Sequence, residues 1–218
     1  MYTKNKWYSD KHFSFHYVEY LPSDYDEENT YPLVFFLHGA GERGEDPDVA
    51  MRHGYMKHVR EQGAEYPFIF IAPQCPMDKY WGCYTESLIA FLEDMIATHA
   101  VDEDRVYLTG LSMGGTGTWM LAMACPEKFA AIAPICGSGI CWYGEALKDV
   151  PVYAYHGDAD EIVPVTESVN MVARVNAGGG NAQVKICYGV GHDAWEEAYK
   201  GDELWKWMLA HRRIKTLF

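Results

Sequence analysis

No stretch of the 218 residues approaches the roughly 20 consecutive apolar positions that a membrane-spanning helix needs. Basic residues are scarce, with 18 Lys and Arg against 31 Asp and Glu, a net charge of −13 with His neutral. A phosphate backbone or an anionic lipid surface would repel such a chain, so nucleic acid and membrane are excluded as expected partners. The first twenty residues mix charge and aromatics and lack the apolar centre of a secretory leader. The chain therefore reads as cytoplasmic, although one trimmed of its leader would read alike. The six cysteines, 75, 83, 125, 136, 141 and 187, include no C-x-x-C pair, which argues against a zinc knuckle or a thioredoxin-type motif. A chain of this length needs no disulfide staples, so free thiols are expected. The spacing alone would permit a bond between Cys136 and Cys141. No internal repeat and no low-complexity tract is present. The single linker-like run, residues 176–181, is short enough to be a loop after a helix.

What the sequence does have is an ordinary globular balance, 49% apolar and 22% charged. That is enough for one core and one domain, residues 1–218. Short apolar runs alternate with helical patterns. Strands are expected at 12–20, 33–37, 68–72, 106–109, 130–135, 152–155 and 184–187. Helices are expected at 49–62, 86–99, 115–124, 166–177 and 194–212. This alternation predicts an α/β fold with a mostly parallel central sheet flanked by helices. Chemistry in such sheets sits at the carboxyl ends of the strands.

The loop after the third apolar strand, Gly110-Leu111-Ser112-Met113-Gly114, fits G-x-S-x-G, with a strand leading in and a helix leading out. Such an elbow exposes a serine hydroxyl at a helix N-terminus, and the Met113 amide faces a developing oxyanion. A side chain at either flanking glycine is expected to clash with backbone.

A serine nucleophile needs a base and an orienting acid, which follow it in the order acid, then histidine. Asp158, Asp160 and Glu161 are the acid candidates. Asp160 is preferred and Asp158 reads as a turn residue binding backbone amides. His192, in a Gly-flanked loop, is preferred as base over His156, which reads as a structural hydrogen-bonding residue. In residues 38–44, glycines allow backbone amides to face an anion. Ala40 is the expected second oxyanion donor and Gly41 its near alternative. Glu42 and Arg43 could contact substrate, but such a pair more often braces its loop. Trp81, Trp142, Trp195 and Tyr143 fall in or beside the site loops, where they could wall a planar acyl group or a sugar ring, or pack as core and rim.

With these motifs in place, the chain resembles the α/β-hydrolase superfamily. More narrowly it is similar to esterases related to dienelactone hydrolase and to the polyhydroxybutyrate depolymerase and feruloyl esterase group. The matching stretches are residues 31–44, 72–76 with Trp81, 110–119, 156–164 and 191–195, in family order over nearly the whole chain. The resemblance implies a three-layer sandwich with Ser112 as nucleophile, Asp160 as acid, His192 as base and the Met113 and Ala40 amides as oxyanion hole. It implies no metal and no organic cofactor. Residues 136–150, where many relatives insert a lid, are few here, so no large cap domain is expected. The implied activity is a serine carboxylesterase on short-chain or aryl esters, feruloyl or acetyl esters of plant oligosaccharides being the leading substrates. A serine peptidase of the same fold and a non-catalytic binding protein are the competing readings.

Overall fold

The computed structural model describes residues 2–63 and 65–213. Eight strands form one sheet: β1 (Tyr2–Lys6), β2 (His16–Tyr20), β3 (Tyr31–Leu37), β4 (Ile69–Pro73), β5 (Val101–Leu111), β6 (Ala131–Ile135), β7 (Val152–Gly157) and β8 (Ala182–Cys187). Their order is β1-β2-β4-β3-β5-β6-β7-β8. Pairing is antiparallel from β1 through β2 to β4, and parallel from β4 onward. The helices are α1 (Pro47–Ala50), α2 (Tyr55–Gln62), α3 (Thr85–Thr98), α4 (Met113–Ala124), α5 (Thr166–Ala177), α6 (Trp195–Ala198) and α7 (Glu203–Leu209). None of the described helices is long and apolar enough to cross a membrane.

Strand periodicity divides the interior in two. Along β3, Leu33, Phe35 and Leu37 join Leu88 and Phe91 of α3, Trp119 of α4 and Met171 of α5 in one core. The alternate residues Val34 and Phe36 join Met56 of α2 and Leu204, Trp205 and Met208 of α7 in the other. Every residue of β3 is buried, as a strand covered on both faces must be. The chain runs from β3 outward to β4, then returns to place β5 on the other side of β3. This reversal opens a crevice at the carboxyl ends of β3 and β5.

The predicted α/β-hydrolase sandwich is present, and between β6 and β7 lies only a short 3-10 segment, Cys141–Leu147, in place of a cap. The sequence pattern misplaces other elements. β1 carries no apolar alternation and forms by pairing its backbone with β2, Tyr2 opposite Tyr20. The helix expected over 49–62 is cut at Gly54, φ 69, and the one over 194–212 at Gly201, φ 82. All six cysteines are free, so the Cys136–Cys141 bond that the spacing permits is not made.

Two glycines seat α4 against the sheet. A Cβ on Gly114 would lie 1.8 Å from the Leu37 carbonyl oxygen, and one on Gly110 would lie 2.6 Å from the same atom. Neither backbone contact can yield without moving β3. Gly114→Ala should therefore destabilise the fold by about 3 kcal/mol or more in urea unfolding. Gly41→Ala, whose Cβ meets nothing within 4 Å, should stay within about 0.5 kcal/mol of the parent. Equal midpoints for the two variants would contradict the packing argument.

Candidate active site

Ser112 stands alone between β5 and α4 with φ 54 and ψ −116, a conformation disfavoured for a residue with a side chain. Its surroundings over-determine it. The Ser112 amide donates to the Ile135 carbonyl at 2.9 Å, and its carbonyl accepts from Thr116 at 3.0 Å. The close approach of Gly110 and Gly114 to β3 fixes both flanks, as the elbow motif predicts. The hydroxyl is thereby lifted clear of the sheet at the first turn of α4, whose leading amides have no acceptor within the helix.

Asp160 follows β7 and His192 follows β8, both at the carboxyl edge. Ser112 Oγ lies 2.8 Å from His192 Nε2, and His192 Nδ1 lies 2.7 Å from Asp160 Oδ2. The other Asp160 oxygen, Oδ1, accepts the Ile162 and Val163 amides, each at 2.9 Å. Burial of this carboxyl works to raise its pKa. The bonds from His192, Val163 and Ile162 outweigh that and hold it below the usual carboxylate value. Asp160 is thus an anion at neutral pH and fixes the His192 tautomer, with Nδ1 donating and Nε2 free to accept the serine proton. The arrangement can generate an oxygen nucleophile and stabilise the resulting imidazolium.

The competing candidates are occupied elsewhere. Asp158 Oδ1 accepts the Gly189 amide at 2.7 Å, a turn-holding bond. Glu161 is exposed. His156 is fully buried, with Nδ1 2.7 Å from Ser168 Oγ and Nε2 2.9 Å from the Val163 carbonyl. It braces the acid loop from behind, its Nε2 3.3 Å from Asp160 Oδ2.

Ala40 opens a 3-10 turn, Ala40–Glu42, after Gly39 in extended geometry. The loop abuts the elbow, since a Cβ on Gly114 would lie 2.7 Å from the His38 carbonyl oxygen. Ala40 and Met113 each begin a helical turn, where the leading amides have no acceptor within the turn. Arg43 braces this loop, Nε donating to the Ala40 carbonyl at 2.9 Å and Nη1 to the Lys79 carbonyl at 3.2 Å. Glu42 is buried with one oxygen 3.7 Å from His53 Nε2. Gly41 borders open space.

The aromatic residues separate. Trp195 packs edge-to-face on His192, centroids 5.3 Å apart. Trp142 is 76% exposed on the segment after β6, and Tyr143 beside it is exposed too. Trp81, expected as a wall of the site, is corrected to an internal brace. It is 1% exposed, its Nε1 donates to the His38 carbonyl at 2.9 Å, and Gly117 of α4 presses on its stem. His53, for which the sequence offers no signal, packs on Trp195 with ring centroids 5.7 Å apart. Its nearest neighbours are reached only through tertiary structure.

Among the described residues, Cys136, Asp160 and His192 converge with donor atoms within 4.8 Å of one another. Within this cluster, Asp160 and His192 share the short hydrogen bond of the acid–base pair, and burial pushes the Cys136 thiol up to about 12.

The Esterase family model matches residues 14–213. The chain is 28% identical over 160 residues to a probable feruloyl esterase C of Aspergillus terreus, spanning 71% of this chain and 58% of that protein. It is 27% identical over 147 residues to endo-1,4-beta-xylanase Y of Acetivibrio thermocellus, spanning 60% of this chain but only 13% of that protein. Among solved structures, a thermostable esterase superposes with a TM-score of 0.89 at 31% identity, covering 97% of this chain and 63% of that one.

His38 supplies a pH test of the loop geometry. Burial lowers its pKa from 6.5 to about 4, so the folded state holds it neutral. Its Nε2 accepts the Cys75 amide at 3.0 Å and its Nδ1 donates to the Gly39 carbonyl at 2.7 Å. Between pH 6.5 and about 4 the unfolded chain binds a proton here that the folded chain does not. Stability from this group is therefore complete above pH 6.5 and falls as pH drops. At about 1.4 kcal/mol per pH unit the loss is ~3 kcal/mol by pH 4. Urea unfolding at pH 7, 6, 5 and 4.5 should show His38→Gln losing less stability than the parent. Parallel losses would contradict the assignment.

Proposed function

The chain belongs to the Esterase family, and from that membership we propose that it is a serine carboxylesterase working through an acyl-enzyme. The observation that carries the reading is the unbroken hydrogen-bonded line from Ser112 Oγ through His192 to Asp160, at 2.8 and 2.7 Å. Ser112 attacks the ester carbonyl while its proton passes to His192 Nε2. Asp160 holds the imidazole in place and stabilises its charged form. The amides of Met113 and Ala40 take the tetrahedral oxyanion, where one donor is typically worth about 3 kcal/mol. His192 returns the proton to the leaving alcohol, and water then cleaves the acyl-enzyme through the same base.

For the substrate we propose a short or aromatic acyl group on a plant-derived sugar alcohol. The likeness to a feruloyl esterase, and to part of a xylanase-named protein, supports a cell-wall ester. Between β6 and β7 the described residues place only the short segment Cys141–Leu147, which suits a crevice open to a bulky alcohol. Trp142 and Tyr143 emerge from the loop after β6, which lies between the strands bearing Ser112 and Asp160, and they suit an aryl or pyranose face. Trp195, against His192, closes the side next to the base.

The test is hydrolysis of p-nitrophenyl acetate, butyrate and octanoate, methyl ferulate and acetylated xylo-oligosaccharide by the parent and Ser112→Ala. The parent should favour methyl ferulate or the acetylated sugar over octanoate. The variant should lose on the order of 10³-fold or more in kcat. A folded parent inactive on every ester, or a variant with undiminished turnover, would overturn the reading.

A further inference from the structure

We propose that Cys136 is a positioning residue for the acid–base pair, its side chain wedged between the loop that carries Asp160 and the loop that carries His192. The inference rests on the esterase reading, which itself makes no use of this residue. Cys136 follows directly on β6, the strand between that of the nucleophile and that of the acid.

Three observations converge on it. The first is its backbone. Cys136 adopts φ 48, a left-handed conformation that glycine enters without strain and cysteine does not. The chain is pinned on both sides of it. The Ile135 carbonyl receives the Ser112 amide, and the Cys136 amide donates to the Tyr155 carbonyl of β7, both at 2.9 Å. A Cβ on Gly137 would lie 2.3 Å from the Gly115 carbonyl carbon of α4. This backbone therefore ties the elbow to the acid strand, and it leaves the side chain one direction to take.

The second observation is where that direction leads. Cys136 is fully buried, and its Sγ, an Asp160 carboxylate oxygen and a His192 ring nitrogen all lie within 4.8 Å of one another. The third is what else meets the sulfur. The backbones of Gly157, the last residue of β7, and of Ala194, two residues beyond His192, both act on the thiol against the effect of burial. Burial keeps the thiol protonated, so a neutral and polarizable group backs the Asp160–His192 bond and adds no charge to compete for the imidazolium. A smaller side chain would leave a void against the imidazole, and the base would gain freedom that proton transfer punishes.

The experiment compares Cys136→Ala, Cys136→Gly and Cys136→Ser with the parent. It measures kcat and KM on p-nitrophenyl acetate, the melting temperature, and the low-field proton resonance of the His192 Nδ1–H. Alanine keeps the backbone strain and loses the thiol, whereas glycine loses both, so their stabilities differ while their effect on the base should not. Both should lower kcat about tenfold with KM within about twofold, and both should broaden or shift the low-field resonance. Serine should restore most of the rate. Should the alanine variant fail to fold, the glycine variant, free of the strain, carries the test. Alanine and glycine variants with kcat within about twofold of the parent and an unchanged resonance, or rates that simply follow melting temperature, would overturn the proposal. A parent without esterase activity would instead remove the functional reading, and the resonance would still test the positioning.

Discussion

The contact between the first turn of α4 and the end of β3 is the constraint on which the site depends. Gly114 approaches the Leu37 carbonyl so closely that no side chain fits between them. That approach sets where α4 begins and forces Ser112 into φ 54. The strained turn sets the Ser112 hydroxyl at the first turn of the helix, whose leading amides have no acceptor within it. It also brings the loop after β3 against the elbow, where a Cβ on Gly114 would meet the His38 carbonyl oxygen. The place of Ser112 and the seating of the loop after β3 thus share one cause, the packing of a helix start on a strand end.

The electrostatics rest on a second economy of position. Asp160 is buried, which alone would favour its neutral form, yet three hydrogen bonds keep it ionised. An anion so held orients His192 by a single short bond. The surrounding titratable groups are kept out of the chemistry in different ways. His38 is neutral through burial and serves as a hydrogen-bonding strut, His156 braces the acid loop, and Asp158 closes a turn. One imidazole is left facing the serine.

Which parts of this were legible in the sequence follows a physical pattern. Gly110 and Gly114 flank Ser112 because local backbone geometry demands it, so the elbow shows as a short motif. Asp160 and His192 lie just past buried strands, and their order along the chain is set by the fold. Asp158 and His156 could be read as well, one from the turn chemistry of its loop and the other from its place at a strand end. Trp81 could not, because its burial is decided by Gly117 and His38, residues distant in sequence from it. β1 escaped notice because an edge strand held by backbone pairing needs no apolar alternation. Gly54 and Gly201 each interrupt a helical pattern that hydrophobic spacing alone would continue. Cys136 reads in the sequence as one more free thiol, because its closeness to Asp160 and His192 arises only in the fold.

The central claim is that Ser112 is a nucleophile activated by His192, and a fluorophosphonate probe tests it without assuming a substrate. Intact-mass and peptide mass spectrometry of the parent should find one covalent adduct, on Ser112. His192→Gln should label slower by on the order of 10³-fold. An adduct on another residue, no adduct on the folded parent, or equal labelling of the two proteins would contradict the account.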